Sequence, residues 1–293
     1  MPDVSQVTIV EPVLRWFAAA GRDLPWRDGR ASAWGVLVSE VMLQQTPVVR
    51  VEPVWREWMD RWPTPGALAL ATQADAVRAW GRLGYPRRAQ RLWQCAVVLS
   101  ERYGGEVPRQ QAALLALPGV GEYTAAAIGA FAFGDRTVVL DTNVRRVIGR
   151  ALGGEALSSA HLTAAERARA ADLVPGDATA AVAWNVASME LGALVCTARS
   201  PRCDECPIAS ACAWLGAGKP GLEQAPRRTQ AWNGTDRQVR GRIMAILRGA
   251  SRPVVVEGRV ELADVEPGQI DRCVESLLAD GLVVEVAPGA FTL

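Results

Sequence analysis

Apolar residues recur three and four positions apart along most of this chain, the spacing of helices that bury one face. Val13, Leu14, Trp16 and Phe17 mark a helix over 10–20 that stops at Gly21, and Arg22 to Arg27 reads as an extended loop after it. Trp34, Leu37, Val38 and Val41 line one face of the next helix, over 34–46. Glu40 borders that stripe, and Gln44 and Gln45 end the helix against Pro47. Three further stripes follow: Val54, Trp55 and Trp58; then Ala76, Val77, Trp80 and Leu83; then Leu92, Ala96 and Leu99. Breaks at Trp62-Pro63, Gly84-Tyr85-Pro86 and Gly104-Gly105 separate them. Their tryptophans read as core, whereas Tyr85 falls on a loop beside Arg87 and Arg88. Helices are also predicted over 162–173 and 180–195, so the fold class is mainly α.

The texture changes after residue 215. Residues 216–235 are rich in Gly, Pro and polar side chains and read as a linker. Beyond it, Val239, Ile243, Ile246 and Leu247 give one amphipathic helix, and Ile270, Val274, Leu277 and Leu278 give another. LVVEVAPGAFTL then reads as a two-stranded hairpin turning at Pro288-Gly289. Residues 236–293 are therefore expected to form a small α+β module of winged-helix type. DNA contact and protein contact are equally open as its role.

Between these parts lies LLALPGVGEYTAAAIGAFAFGDRTVVLDTNVRR, residues 114–146. It reads as a short apolar helix, a turn made of Pro118, Gly119, Val120 and Gly121, an Ala-rich helix, and an apolar run ending in Asp141. The glycines allow backbone N–H groups to point outward together where the helix begins, which is how an oxyanion such as a DNA phosphate is bound. Asp141 heads a further helix striped by Val144, Val147, Ile148 and Ala151. Each motif has a plainer reading, as a turn and as an N-cap. Found within one short stretch, they point to chemistry on a nucleic acid. Glu40 supplies a second carboxylate. Its plainer reading is a boundary glutamate in a surface pair; half withdrawn from water, it would have the raised pKa of a general acid.

Composition sharpens this only in places. The 293 residues are 49% hydrophobic and 22% charged, an ordinary globular balance with ample core. No stretch approaches the length of a membrane span, and the first residues lack a basic-then-apolar leader, so a cytoplasmic location is expected. A net charge of +1 confines any nucleic-acid surface to a local patch. Lys219 is the only lysine. Cys196, Cys203, Cys206 and Cys212 form a C-x6-C-x2-C-x5-C run, which in a cytoplasmic chain means metal rather than disulfide. Four such thiolates suit tetrahedral zinc or a [4Fe–4S] cluster, and the single C-x2-C knuckle leans toward iron. Cys95 and Cys273 lie in helical apolar patterns and are expected to play no part.

LPGVGEYTAAAIGAFAFG, VVLDTNVRRV, SEVMLQQT and the cysteine run together resemble the helix-hairpin-helix DNA glycosylases of the endonuclease III superfamily, within it the adenine DNA glycosylases of the MutY type. The resemblance implies a core over about 8–215, with a six-helix part near 30–136 and a cluster part made of 8–29 plus 137–215, and a [4Fe–4S] cofactor. It implies Glu40 as general acid, Asp141 as the catalytic aspartate and Asn143 beside it. Arg22, Trp26, Arg27, Leu43 and Glu190 would line an adenine pocket. Gln45, with Gln44 beside it, would reach the base stack. Gly119, Val120 and Gly121, helped by Arg199 and Arg202, would hold phosphates. Tyr123 stands where lyases of the superfamily carry a lysine, and Tyr85 is a further candidate for DNA contact.

The function so implied is hydrolysis of the N-glycosidic bond of adenine mispaired with 8-oxoguanine or guanine, without lyase activity, by a bacterial monomer acting on double-stranded DNA near the nucleoid. Three competing readings are a pyrimidine-specific glycosylase/lyase, a non-enzymatic iron–sulfur redox sensor and a structural repair subunit. Members of the family typically carry a Nudix-like C-terminal domain that reads 8-oxoguanine. No counterpart of its Phe-Ser-His signature follows the linker, and the only histidine is His161. Preference for 8-oxoguanine is therefore expected to be weaker, or to come from Gln45 and Tyr85.

Overall fold

The computed structural model describes residues 6–224 and 233–293; residues 225–232 of the predicted linker lie outside them. The described residues fall into two compact units, one made of 6–40, 108–116 and 120–224, the other of 41–107, 117–119 and 233–293. No helix among the described residues is long and apolar enough to cross a membrane.

The first unit is helical throughout. Val13, Val144, Val147, Ile148, Leu173, Trp184 and Leu191 meet in one core cluster, drawn from the stripes of the helices Glu11–Ala20, Thr142–Gly153, Ala164–Leu173 and Ala178–Leu194. Each large side chain buried there contributes about 1.5–3 kcal/mol. Side-chain caps start the last three of these helices: Asp141 accepts from Val144 N at 2.7 Å, Asp177 from Ala180 N at 2.9 Å, and Thr163 forms a capping box with Glu166. Each is worth about 1 kcal/mol. Gly154, at φ 65°, takes the left-handed turn that ends the Thr142–Gly153 helix.

One helix differs from its sequence reading. The apolar stripe puts Glu40 at its border, yet in the helix Ala33–Leu43 every residue from Trp34 to Met42 is buried. Only Ser39 and Glu40 interrupt its apolar run, and a helix that is apolar on all sides belongs inside. The helix also ends at Leu43, short of Thr46.

In the second unit the predicted stripes pack on one another. Trp58 meets Trp62 edge-on at 4.9 Å and Trp80 at 5.6 Å between ring centroids, pairs worth about 1 kcal/mol each beyond their burial. Trp80 Nε1 donates to Gly84 O at 2.9 Å and so anchors the 81–85 loop. Residues 236–293 run helix Asp236–Gly249, strand Val254–Val255, helix Pro267–Ala279, then strands Val284–Ala287 and Ala290–Thr292. These residues form a small α+β region whose sheet has three strands, one more than the expected hairpin. The final strand lies between the other two and is antiparallel to both, pairing Val254 with Phe291 and Val284 with Thr292. A bulge between Glu285 and Ala287 leads into the turn at Gly289.

Candidate functional site

Two of the predicted carboxylates come together in the first unit. Glu40, 4% exposed, accepts a hydrogen bond on Oε2 from the Tyr123 hydroxyl at 2.9 Å. Tyr123 is in the first turn of the helix Glu122–Phe133, which starts directly after Gly121. Burial pushes the Glu40 carboxyl up to about 7 against the pull of Tyr123 and Arg27, and the nearby charge of Asp141 pushes the same way. Asp141 is held by its own helix: Oδ1 takes Val144 N and Oδ2 takes Asn143 Nδ2 at 2.8 Å. Burial still keeps Asp141 above the usual aspartate value, although these bonds and Arg146 draw it down. Two carboxyls with different surroundings thus share one site, one poised to carry a proton at neutral pH and the other fixed by donors.

Arg22, Arg27 and Glu190, far apart in sequence, also meet here. Glu190 is fully buried and accepts from Arg22 Nε at 2.6 Å, Arg22 Nη2 at 2.9 Å, Arg22 N at 3.1 Å and Arg27 Nη1 at 2.9 Å. Burial alone would raise this carboxyl, but the two guanidiniums outweigh it and hold Glu190 below the usual range. Arg27 is thereby placed where its charge reaches both Glu40 and Tyr123. Trp26 is buried beside it in sequence.

Gly192 sets the fit between the helices Ala178–Leu194 and Thr142–Gly153. A Cβ added to it would lie 2.6 Å from Asn143 Cβ. Arg146 ties the same point, donating from Nη2 to Gly192 O and to Asn143 Oδ1, both at 2.7 Å. Gly192→Ala is therefore expected to push Asn143 off Asp141 and slow any reaction that uses Asp141 by on the order of 10- to 100-fold, the usual effect of misplacing a reacting group by about 1 Å. A single-turnover rate within twofold of wild type would show that the close approach does not matter.

In the second unit Leu43 and Gln44 are half-buried and Gln45 and Tyr85 are exposed. Gln45 has φ 55° and Tyr85 φ 49°, left-handed backbone that ordinary residues avoid. Arg88 holds both turns. Its guanidinium is buried and donates to Val41 O at 3.0 Å, Met42 O at 3.1 Å, Thr46 Oγ1 at 2.9 Å and Gly84 O at 3.1 Å. Burial pulls Arg88 down to about 10. Sequence reasoning passed over it, although it sits four residues before Leu92 at the head of an apolar stripe. In the hairpin, Gly119 has φ 81°, and the N–H groups of Gly119, Val120 and Gly121 have no backbone acceptor among the described residues.

Cys196, Cys203, Cys206 and Cys212 are half-buried free thiols that line one cavity. Four thiols around one cavity are the donor set of tetrahedral zinc or of a [4Fe–4S] cluster. Burial pushes Cys206 up to about 11, with its neighbouring thiols adding to the shift. A second arginine missed in the sequence lies behind the loop. Arg150 is 1% exposed, approaches Cys196 Sγ at 3.5 Å, and donates to Thr197 O at 2.8 Å and Ala198 O at 2.9 Å. Its guanidinium stacks on Trp214 at 4.3 Å. Arg202 is committed locally, to Glu205 at 2.7 Å and Leu194 O at 2.7 Å, while Arg199 is exposed. Cys95 and Cys273 are buried.

Residues 38–171 match the HhH-GPD superfamily of base excision DNA repair proteins, and residues 196–212 match the iron-sulfur binding domain of endonuclease III. The chain is 51% identical over 289 residues to the adenine DNA glycosylase of Mycolicibacterium smegmatis, covering 97% of this chain and 96% of that protein. It is 50% identical over 285 residues to the adenine DNA glycosylase of Mycobacterium tuberculosis strain H37Rv, covering 96% and 92%. Among solved structures, a thermostable thymine-DNA glycosylase aligns with a TM-score of 0.66 at 30% identity, over 73% of this chain and 97% of that one. The match to that domain gives the chain a [4Fe–4S] cofactor, and Cys196, Cys203, Cys206 and Cys212, all within the matched residues, are the side chains that would hold it. Purified protein should be brown, with roughly four iron and four sulfide per chain; a colourless active preparation with one zinc would refute the assignment. Sequence, fold and cysteine loop agree: the chain belongs to the adenine DNA glycosylases of the HhH-GPD superfamily.

Proposed function

We propose that the enzyme removes adenine mispaired with 8-oxoguanine or guanine in duplex DNA, as a monofunctional glycosylase. The scissile bond is buried in the base stack, so the adenosine must first be turned out into a pocket. The pocket walls in the first unit would be Arg22, Trp26, Arg27 and Glu190. Adenine is a poor anionic leaving group. Glu40 donates a proton to N7 as the bond from N9 to C1′ breaks, and the bonding electrons leave with a neutral base. The sugar gains cationic character, which the Asp141 carboxylate stabilises before water adds at C1′ and gives up a proton to the Glu40 carboxylate left by the first step. Tyr123 keeps Glu40 oriented through Oε2, and Asn143 does the same for Asp141. The observation that carries this reading is the buried Glu40, with a pKa of about 7, bonded to Tyr123 and within reach of the charge of Asp141.

The N–H groups of Gly119, Val120 and Gly121, which have no backbone acceptor among the described residues, suit a phosphate, and exposed Gln45 and Tyr85 suit contact with the bases around the mispair. Preference between 8-oxoguanine and guanine would rest on those two. The setting we propose is a cytoplasmic monomer acting on chromosomal DNA.

Single-turnover adenine release opposite 8-oxoguanine, guanine and thymine tests the mispair reading. Release from the first two and not the third is expected; equal release from a thymine pair would overturn it. Borohydride trapping tests the second claim. A lyase needs a free amine to form a Schiff base with the sugar, and the only lysine is Lys219 in the segment after the cysteines. No robust covalent complex should form.

A further inference from the structure

Asp141 ends an extended run, 134–141, that turns back from the helix Glu122–Phe133 at Gly134, φ 69°. Among the described residues the run joins no sheet, and the backbone of 136–140 makes no hydrogen bond to other backbone. Buried backbone groups must then be satisfied by side chains. Asn185, 2% exposed on the helix Ala178–Leu194, uses both ends of its amide for this. Its Nδ2 donates to Thr137 O at 2.9 Å, and its Oδ1 accepts from Val139 N at 3.3 Å. It thus serves two residues of the run as a residue of a neighbouring strand would.

The other side of the run is fastened too. Thr137 Oγ1 donates to Ala126 O at 2.8 Å, on the helix Glu122–Phe133. The fit there is close: a Cβ added to Gly129 would lie 3.3 Å from Thr137 Cγ2, and Val139 packs on Ala127 and Ala130. No step of the reaction uses Asn185, and its neighbours Ala181, Trp184 and Ala187 are core. An apolar residue would suit that position, except that it would leave two backbone groups unpaired. Val144 N and Asn143 orient the Asp141 carboxyl within its own helix. They do not set how far it reaches toward Tyr123 and Glu40; the run that delivers it does.

We propose that Asn185 and Thr137 are positioning residues for Asp141: they clamp the 134–141 run between two helices and so fix where its carboxylate meets the sugar cation. The proposal rests on the reading of Asp141 given above. It gives the helix Ala178–Leu194 two tasks, since Glu190 on the same helix holds Arg27 beside Glu40. Asn185 acts on one carboxylate and Glu190 on the other.

The test uses the full-length, cluster-loaded enzyme and two duplexes in which the adenosine is replaced, by a neutral tetrahydrofuran or by a pyrrolidinium with its cation at the C1′ position. The ratio of the two affinities reads the electrostatic grip on the developing charge and cancels general DNA binding. Asn185→Leu keeps the bulk and loses both bonds, so the ratio should fall about tenfold or more. Thr137→Val should lower it in the same direction. In Asp141→Asn the ratio should collapse, and adding Asn185→Leu should move it by less than about twofold, because no carboxylate is left to position. A wild-type ratio in folded Asn185→Leu would overturn the proposal. So would a further loss in the double variant, the mark of a general disturbance of the fold. If Asn185→Leu does not fold, Thr137→Val, at a half-buried position, decides by the same ratio. A ratio that survives Asp141→Asn would sink the reading of Asp141 and the clamp with it. A ratio lost in Asp141→Asn but kept in Asn185→Leu would sink the clamp alone.

Discussion

Glu40→Gln is expected to release adenine at least about a hundredfold more slowly than the wild-type enzyme, because a positioned general acid contributes about 10²–10⁴-fold. The amide keeps the shape and can still accept from Tyr123, but it has no proton to give. The pH dependence makes the test specific. In the wild type the single-turnover rate should fall as pH rises through about 7, where Glu40 gives up its proton, and the residual rate of the variant should show no such limb. Stability should move the opposite way. The folded protein binds the Glu40 proton more tightly than the unfolded chain, so this group's contribution to stability is complete at low pH. It is lost as pH rises from the ordinary glutamate range through about 7. The variant carries no charge at position 40 at any pH. It should therefore melt several degrees higher than wild type at pH 8 and at the same temperature at pH 4. A wild-type rate that climbs through pH 7 would mean that Glu40 acts as a base.

Glu190→Gln is expected to be the most destabilising single change at the site, by about 3 kcal/mol, as when one partner is removed from a buried ion pair. Two arginines lose their only shared anion, and their side chains, 34% and 21% exposed, recover only part of their hydration. The sign with pH reverses that of Glu40. Glu190 is held below the usual glutamate range, so its contribution is present at neutral pH and fades as pH falls through the acid range. The melting curves of variant and wild type should therefore converge on acidification. Adenine release should fall too, because Arg27 is positioned against Glu40 by this bond. Equal melting temperatures at neutral pH would show that Arg22 and Arg27 find other partners.

The sequence disclosed these groups unevenly, for physical reasons. The cysteine run and the hairpin are local motifs and can be read directly. Asp141 was legible as an N-cap, and the bonds that fix it come from its own helix. The burial of Glu40 was not legible, because a stripe of four apolar residues suggests one buried face, whereas the whole segment from Trp34 to Met42 is enclosed. Arg88 and Arg150 were missed in a shared way. Each occupies a position on an apolar stripe, Arg88 ahead of Leu92 and Arg150 three residues after Val147, where a charge has no reason to be unless its donors are used. An arginine in an apolar register was the signal. Strand Val254–Val255 is two residues long, too short for any periodicity to mark it.

The bonds of Arg88 also bear on how the second unit moves. One guanidinium satisfies oxygens on both sides of the turn through Gln45 and the carbonyl of Gly84 that leads into the turn through Tyr85. Neither turn can unfold locally without stripping a buried cation of acceptors that it also needs to hold the other. The two segments therefore form a single cooperative opening unit. Their amides should exchange with solvent at one common free energy, and whatever locks one turn in place lowers the entropy cost of ordering the other.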